Sequence, residues 1–372
     1  MAYSPDEIET LDELAPHVRR GSLDGLTLQG LDLTGVDLGE VSLTGTLFVG
    51  CAFGGREDAA ELMRRGADVI PVFPDAPFLA HPGLLYTADD LADGFAEGGF
   101  DGMYDTVVYR HFVKQGGATP DVRTALAQRL HDSGIDNALG EAMAEWRATS
   151  GGPVVGVMGG HSEQRGTSGY LLAARIGQRL TQQGCLIVTG GGPGVMEAAN
   201  LGSYLVDGDL DRAIATLATA PDFRDHDRYT KIALEVRAQN SSVSGGLAIP
   251  TWLYGHEPAN LFAGKIAKYF SNALREDVIL RLSRGGIVFA PGKAGTVQEV
   301  FQAATKTFYT TDGPSGPFVF LDRHYWTDGV AAPQLLRDLL AKSPAGDLSG
   351  LVHVTDDIDE AVSVITAGAV PV

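Results

Sequence analysis

Beyond residue 150 the sequence alternates short apolar runs with amphipathic stretches, and no other feature of the chain limits its possible folds so tightly. Residues 154–158, 185–188, 287–290, 317–321 and 351–354 read as strands that lack the polar alternation of a half-exposed sheet, so both faces of each must be covered. Residues 167–183, a segment opening after Gly194, and residues 258–282, 296–308, 333–342 and 358–365 read as helices between them. Leu171, Leu172, Ile176 and Leu180 mark the apolar face of the first. Residues 248–252 read as a return to the sheet, and 207–227 as a less regular, acid-rich excursion. Strands joined through helices are parallel, because a crossover needs that length. The expectation is an α/β region at 151–372, a mostly parallel sheet with helices on both faces, entered through the linker Ser150-Gly-Gly-Pro153.

In such a sheet a ligand sits above the carboxyl ends of the strands. Three loops reach that edge: Gly159-Gly-His-Ser162, Thr189-Gly-Gly-Gly-Pro-Gly194, and the stretch from Ala290 to Glu299 that follows Gly286-Ile-Val-Phe. The last two each open a helix, where unbonded N–H groups and the helix dipole favour an anion. A phosphorylated ligand is therefore expected, its phosphate against the N–H groups of Gly192 to Val195 and of Gly295 to Thr296. The candidate binding residues are Gly160, Ser162, Gly191, Gly192, Gly194, Val195, Met196, Gly292, Lys293, Gly295 and Thr296. Neither glycine cluster is a Walker loop or a dinucleotide fingerprint, since the required Gly-Lys-Ser/Thr and spaced glycines are missing. Thr296 followed by Glu299 also has the spacing of a capping box, which would account for both residues as helix-start chemistry.

The first 150 residues follow other rules. Leu23, Leu28, Leu33, Leu38, Leu43, Phe48 and Phe53 recur every five residues, with glycine at 25, 30, 35, 45, 50 and 55. Neither a helix nor a strand holds that register, so 1–56 reads as an internal repeat, and it resembles a pentapeptide repeat, a short β-helix of under two turns. Its open ends imply a packing or assembly role. Before it, Ser4 is expected to cap a helix that stops at Gly21. Residues 57–150 read as a small mixed segment: a helix at 58–66, a strand at 68–74 broken by proline, and two helices at 120–131 and 137–149. His111 and His131 are expected to be surface or capping side chains.

With 28 Lys and Arg against 47 Asp and Glu, the net charge of -19 argues against a nucleic-acid groove, which demands clustered cations. Cys51 and Cys185 sit far apart in apolar surroundings, as buried free thiols of a reducing cytosol would. No apolar targeting segment and no run of membrane-spanning length occurs, so no membrane partner is expected and the location is expected to be cytoplasmic.

Gly190-Gly-Gly-Pro-Gly-Val-Met196, followed about a hundred residues later by Pro291-Gly-Lys-Ala-Gly-Thr-Val-Gln-Glu299, resembles the paired signatures of the Lonely Guy (LOG) family. The likeness spans about 153–370. The resemblance implies a Rossmann-like phosphoribohydrolase, or nucleotide 5′-monophosphate nucleosidase, that cuts a nucleoside 5′-monophosphate to free base and ribose 5-phosphate with no metal or redox cofactor. It implies Glu299 as the carboxylate facing the ribose and Arg275 as the family's upstream arginine, with Arg281 and Arg284 as alternatives. Arg275 would hold Glu299 ionised and orient it or the phosphate. Gly160 to Ser162 match the family's first turn, and Tyr170 its tyrosine, as core or pocket wall. Lys293 departs from the motif Pro-Gly-Gly-x-Gly-Thr-x-x-Glu at its second glycine. Either the turn tolerates a side chain there or Lys293 adds charge to the phosphate site. The resemblance also implies a homodimer or higher assembly paired through 258–282, whose Leu261, Phe262, Ile266, Phe270, Leu274 and Ile279 exceed what one buried face needs. Two alternatives are a non-catalytic binding protein of the same fold for a nucleotide or phosphorylated cofactor, and a single-stranded DNA binder like the DNA-processing protein A family, which the acidic charge disfavours.

Overall fold

The computed structural model describes residues 6–54, 58–70, 72–240 and 244–370. They form two compact units, Met1–Leu85 with Arg110–Glu145 and Tyr86–Tyr109 with Trp146–Val372, so the segment 57–150 is shared between them.

In the smaller unit β1 (Glu7–Ile8), β2 (Thr27–Gln29), β3 (Leu47–Val49) and β4 (Asp68–Ile70) pair in parallel in that order. Thr27 stands opposite Leu47, and the bridges Ser22 to Ser42 and Asp32 to Ala52 keep the same twenty-residue step, which is four of the five-residue periods. That register stacks Leu23, Leu28, Leu33, Leu38, Leu43 and Phe48 in one buried core. Gly55 lies outside the described residues.

A helix, Leu11–Arg20, ends at Gly21 in the left-handed conformation as expected, but it does not begin near residue 5. Thr10 and Glu13 form both bonds of a capping box, and Glu7 and Ile8 are left to pair with β2, where Ile8 is buried. Ser4 lies outside the described residues. The two helices expected at 120–131 and 137–149 are one, Val122–Thr149. Gly134, in the interval between the two expected helices, lets the single helix approach Pro82, since a Cβ there would come within 2.8 Å of the Pro82 ring. His131 is fully buried against Phe78, not a surface side chain.

The larger unit carries a seven-stranded, wholly parallel sheet flanked by helices, a Rossmann-like α/β arrangement. Its strands are β5 (Val154–Met158), β6 (Leu186–Thr189), β7 (Leu247–Ala248), β8 (Lys265–Ile266), β9 (Gly286–Phe289), β10 (Phe318–Leu321) and β11 (Val352–Thr355). The order is β11-β10-β9-β5-β6-β7-β8, so the chain winds outward from β5 in one direction and then from β9 in the other. β5 and β9 flank the topological switch point, where loops leaving the strand ends diverge and open a crevice.

Two expectations fail in this unit. Residues 258–282 are not one helix: β8 interrupts them and only Asn272–Leu282 is helical. Leu261, Phe262, Ile266, Phe270 and Ile279 are buried within the unit's own interior, leaving Leu274 at 37% exposure. The excursion at 207–227 contains a helix, Leu210–Leu217 capped by Asp209, and the start of another, His226–Gln239. Acidic residues at helix starts had masked both periods. No helix among the described residues is long and apolar enough to cross a membrane, and Cys51 and Cys185 are free and buried.

Candidate functional site

At the switch point the loop after β5 is stitched to those after β9 and β6: Gly160 N–H donates to the Pro291 carbonyl at 2.9 Å, and the Gly160 carbonyl accepts from Val195 N–H at 3.2 Å. The glycine turn after β6 is pinned from below. Thr189 Oγ1 accepts from Gly191 N–H at 3.1 Å and donates to Asn200 Oδ1 at 2.6 Å, while Asn260 Nδ2 donates to the same oxygen at 2.9 Å. These side chains are buried and fully engaged, which fixes the turn before any ligand arrives.

Arg275 stands in the first turn of Asn272–Leu282, behind the cap that Ser271 supplies. Its Nε donates to the Ile249 carbonyl at 2.8 Å and its Nη2 to the Gly190 carbonyl at 3.2 Å, so one guanidinium ties the ends of β6 and β7. Gly190 has to be glycine for this, because a Cβ would lie 2.3 Å from Arg275 Nη2. The remaining nitrogen, Nη1, faces Glu299 Oε1 at 3.7 Å.

The helix that carries Glu299 is Ala294–Tyr309, with Lys293 as its N-cap and no side-chain cap bond. The first intrahelical bond is from Val297 N–H to the Lys293 carbonyl, so the N–H groups of Gly295 and Thr296 precede it. The capping-box account of Thr296 and Glu299 is thereby ruled out: Thr296 lies inside the helix, and Glu299 is a full turn in with its carboxylate turned to Arg275. Glu299 is only 9% exposed. Burial pushes its carboxyl up to about 7, Arg275 pulling down and Glu276 adding to the rise. Arg275 does not hold Glu299 firmly ionised, because desolvation outweighs the attraction of a guanidinium already shared with two carbonyls.

A cavity of about 370 Å³ opens between these loops. It brings together Gly160, Ser162, Gly191, Gly192, Met196, Arg275, Lys293, Gly295, Thr296 and Glu299. Gly194, Val195 and Gly292 do not line it. Val195 has its N–H committed to Gly160, which removes it as an anion donor. Gly194, at φ +74, is pressed beneath the first loop, where a Cβ would lie 2.4 Å from the Gly160 oxygen. Gly292 packs on Thr296 and accepts from Tyr325 Oη at 2.6 Å. Tyr170 is core, fully buried and donating to Glu197 Oε1 at 2.6 Å. Arg281 and Arg284 are not among the lining residues.

Sequence reasoning missed several walls. Glu257 and His256, in the chain leaving β7, line the cavity. Glu257 Oε1 stands 3.4 Å from His161 Nδ1, and burial raises its carboxyl while His256, Arg275 and Lys268 oppose that. The signal was available, since any loop after a parallel strand points to the same edge. Lys268 also lines the cavity, with its Nζ 2.5 Å from Asp105 Oδ1, which further accepts from Trp252 Nε1 at 2.9 Å. Asp105 is 163 residues away, in the helix Tyr104–Lys114, and no local pattern announces it. Arg275, Lys293 and the Asp105-paired Lys268 thus line the same cavity as the carboxylates of Glu257, Glu276 and Glu299. No group of three or more metal-ligating side chains occurs among the described residues.

Fold and site together define a Rossmann-like α/β protein with a ligand-sized pocket at the switch point of its parallel sheet. The model of the SLOG cluster4 family matches residues 152–210, which hold β5, β6 and the first two of the three loops. Comparison with curated proteins gives no match. Among solved structures the chain is similar to the molybdenum cofactor binding protein from the phototrophic bacterium Rippkaea orientalis, at 19% identity and a TM-score of 0.34, over 58% of this chain and 96% of that one. It is also similar to the molybdenum cofactor carrier protein MCP from Chlamydomonas reinhardtii, at 18% identity and a TM-score of 0.34, over 58% of this chain and 97% of that one.

Proposed function

We propose that the larger unit hydrolyses the N-glycosidic bond of a nucleoside 5′-monophosphate, releasing the free base and ribose 5-phosphate. The observation that carries this reading is the placement of Glu299 in the cavity, nearly buried, paired with Arg275, and one turn from the uncapped helix start at Gly295 and Thr296. A phosphate fits the helix start, with the Lys293 ammonium and the Gly191–Gly192 turn beside it. The ribose then extends toward Glu299.

As the C1′–N bond breaks, its electron pair leaves with the base and positive charge builds on C1′ and the ring oxygen. An ionised Glu299 stabilises that charge and takes one proton from the water whose hydroxyl adds to C1′; Glu299 then returns that proton to solvent while the departing base takes one from solvent, so none is consumed overall. A carboxyl titrating near 7 suits this transfer at neutral pH, because it is ionised often enough to act and basic enough to accept. The charge exists mainly in the transition state, so the carboxylate contributes to turnover more than to ground-state binding. The deciding experiment incubates the protein with a panel of purine and pyrimidine monophosphates and measures released base, with Glu299→Gln beside the wild type. No released base from any member of the panel overturns the proposal.

A second reading, a non-catalytic binding protein for a nucleotide or phosphorylated cofactor, uses the same cavity. The observation in its favour is Lys293 where the motif has glycine, since an added ammonium at that turn strengthens phosphate binding without assisting departure of the base. Tight nucleotide binding with no base release supports this reading.

A further inference from the structure

The smaller unit holds a cavity of its own, about 400 Å³, walled on one side by its four-stranded sheet and on the other by the helix Val122–Thr149. Alternation along β2 sends Leu28 into the core and Gln29 to the opposite face, beside Val49 and Ile70 of the paired strands. Gln29 lines the cavity and is only 5% exposed, yet its side-chain oxygen has no hydrogen-bond partner. A buried acceptor of that kind calls for a donor. His81, in the same lining, presents a further unpartnered atom, Nδ1, and burial holds its ring down to about 4, so that it is neutral.

Three carboxylates, those of Glu7, Asp136 and Glu141, share this lining, and no lysine or arginine does. Burial, then repulsion from Glu7 and Glu13, pushes the Glu141 carboxyl upward. We propose that this cavity binds a small organic cation, an amine or guanidinium compound, whose N–H groups satisfy Gln29 and whose charge offsets Glu7 and Glu141. A metal ion fits less well, because no three acidic or histidine side chains among the described residues converge tightly enough to hold one. The volume lies at the small end of the range of ligand pockets, large enough for a chain bearing one or two cationic groups.

The test is isothermal titration of the full-length protein at pH 7.5 with agmatine, 1,4-diaminobutane, uncharged 1,4-butanediol and magnesium chloride. Agmatine or the diamine is expected to bind with one-to-one stoichiometry, the diol not at all. Glu141→Gln and Gln29→Leu should each weaken that binding at least tenfold. Glu257→Gln, in the other cavity, should leave it unchanged. If Gln29→Leu does not fold, Glu141→Gln alone decides. Absence of binding by both amines overturns the proposal, as do equal binding of the diol, equal binding of magnesium, or loss of amine binding only in Glu257→Gln.

Discussion

Replacing Glu299 by Gln separates function from stability in one variant. In the folded chain the Glu299 carboxyl titrates at about 7 instead of 4.5. At about 1.4 kcal/mol per tenfold change in proton affinity, that amounts to roughly 3 kcal/mol against the ionised form. The sign follows from linkage. A carboxyl whose value is raised by folding binds its proton more tightly in the native state, so its contribution to stability is fully present below 4.5 and is lost as pH rises through 7. Glutamine has the same shape and no charge to desolvate. The variant should therefore gain on the wild type progressively between pH 4.5 and 8, by up to about 3 kcal/mol, a figure from which the attraction of Arg275 is already subtracted, and which is several degrees in Tm for a unit of this size. Turnover should move the other way, falling about 100- to 1,000-fold with little change in nucleotide affinity, as expected for a group acting on transition-state charge. Calorimetric melting at pH 5 and pH 8, base release, and nucleotide titration supply the three readings. A stability difference independent of pH would refute the burial argument, and turnover within threefold of wild type would refute the catalytic one.

Other outcomes follow from the same geometry. In the wild type, kcat/KM should rise with pH through about 7 as Glu299 ionises, and Arg275→Lys, which loses the shared fork to Ile249 and Gly190, should move that limb to higher pH; a pH-independent profile counts against Glu299 as the titrating group. Adenosine should bind at least tenfold more weakly than AMP, because the helix start at Gly295 and Thr296 and the Lys293 ammonium would have no anion to meet; equal affinities in a calorimeter would contradict the phosphate placement. Arg165 makes a two-point bond to Glu197, at 2.7 and 2.8 Å, while stacked on Tyr229, all buried. Arg165→Met should cost about 3–5 kcal/mol in urea unfolding, by stranding the Glu197 carboxylate, and a loss below 1 kcal/mol would show the pair to be replaceable.

The strands that matter most were legible because their signal is local. Residues 154–158, 286–289 and 318–321 are apolar without alternation, which only a sheet covered on both faces accepts, and two glycine turns at strand ends point to the same edge. Arg275 and Glu299 were named from the resemblance to the Lonely Guy motifs, and the fold sets them 3.7 Å apart. The apolar content of 258–282 was equally visible but ambiguous. Leu261, Phe262 and Phe270 need burial whether they lie on a helix or in the irregular chain around β8, and hydropathy does not distinguish the two. Glu257 and Lys268 were passed over because their roles come from partners brought together by the fold, Asp105 above all. The titration of Glu299 was out of reach for the same reason. Its motif fixes a carboxyl on a helix, whereas the value near 7 comes from desolvation by side chains scattered along the chain, and only the tertiary structure assembles them.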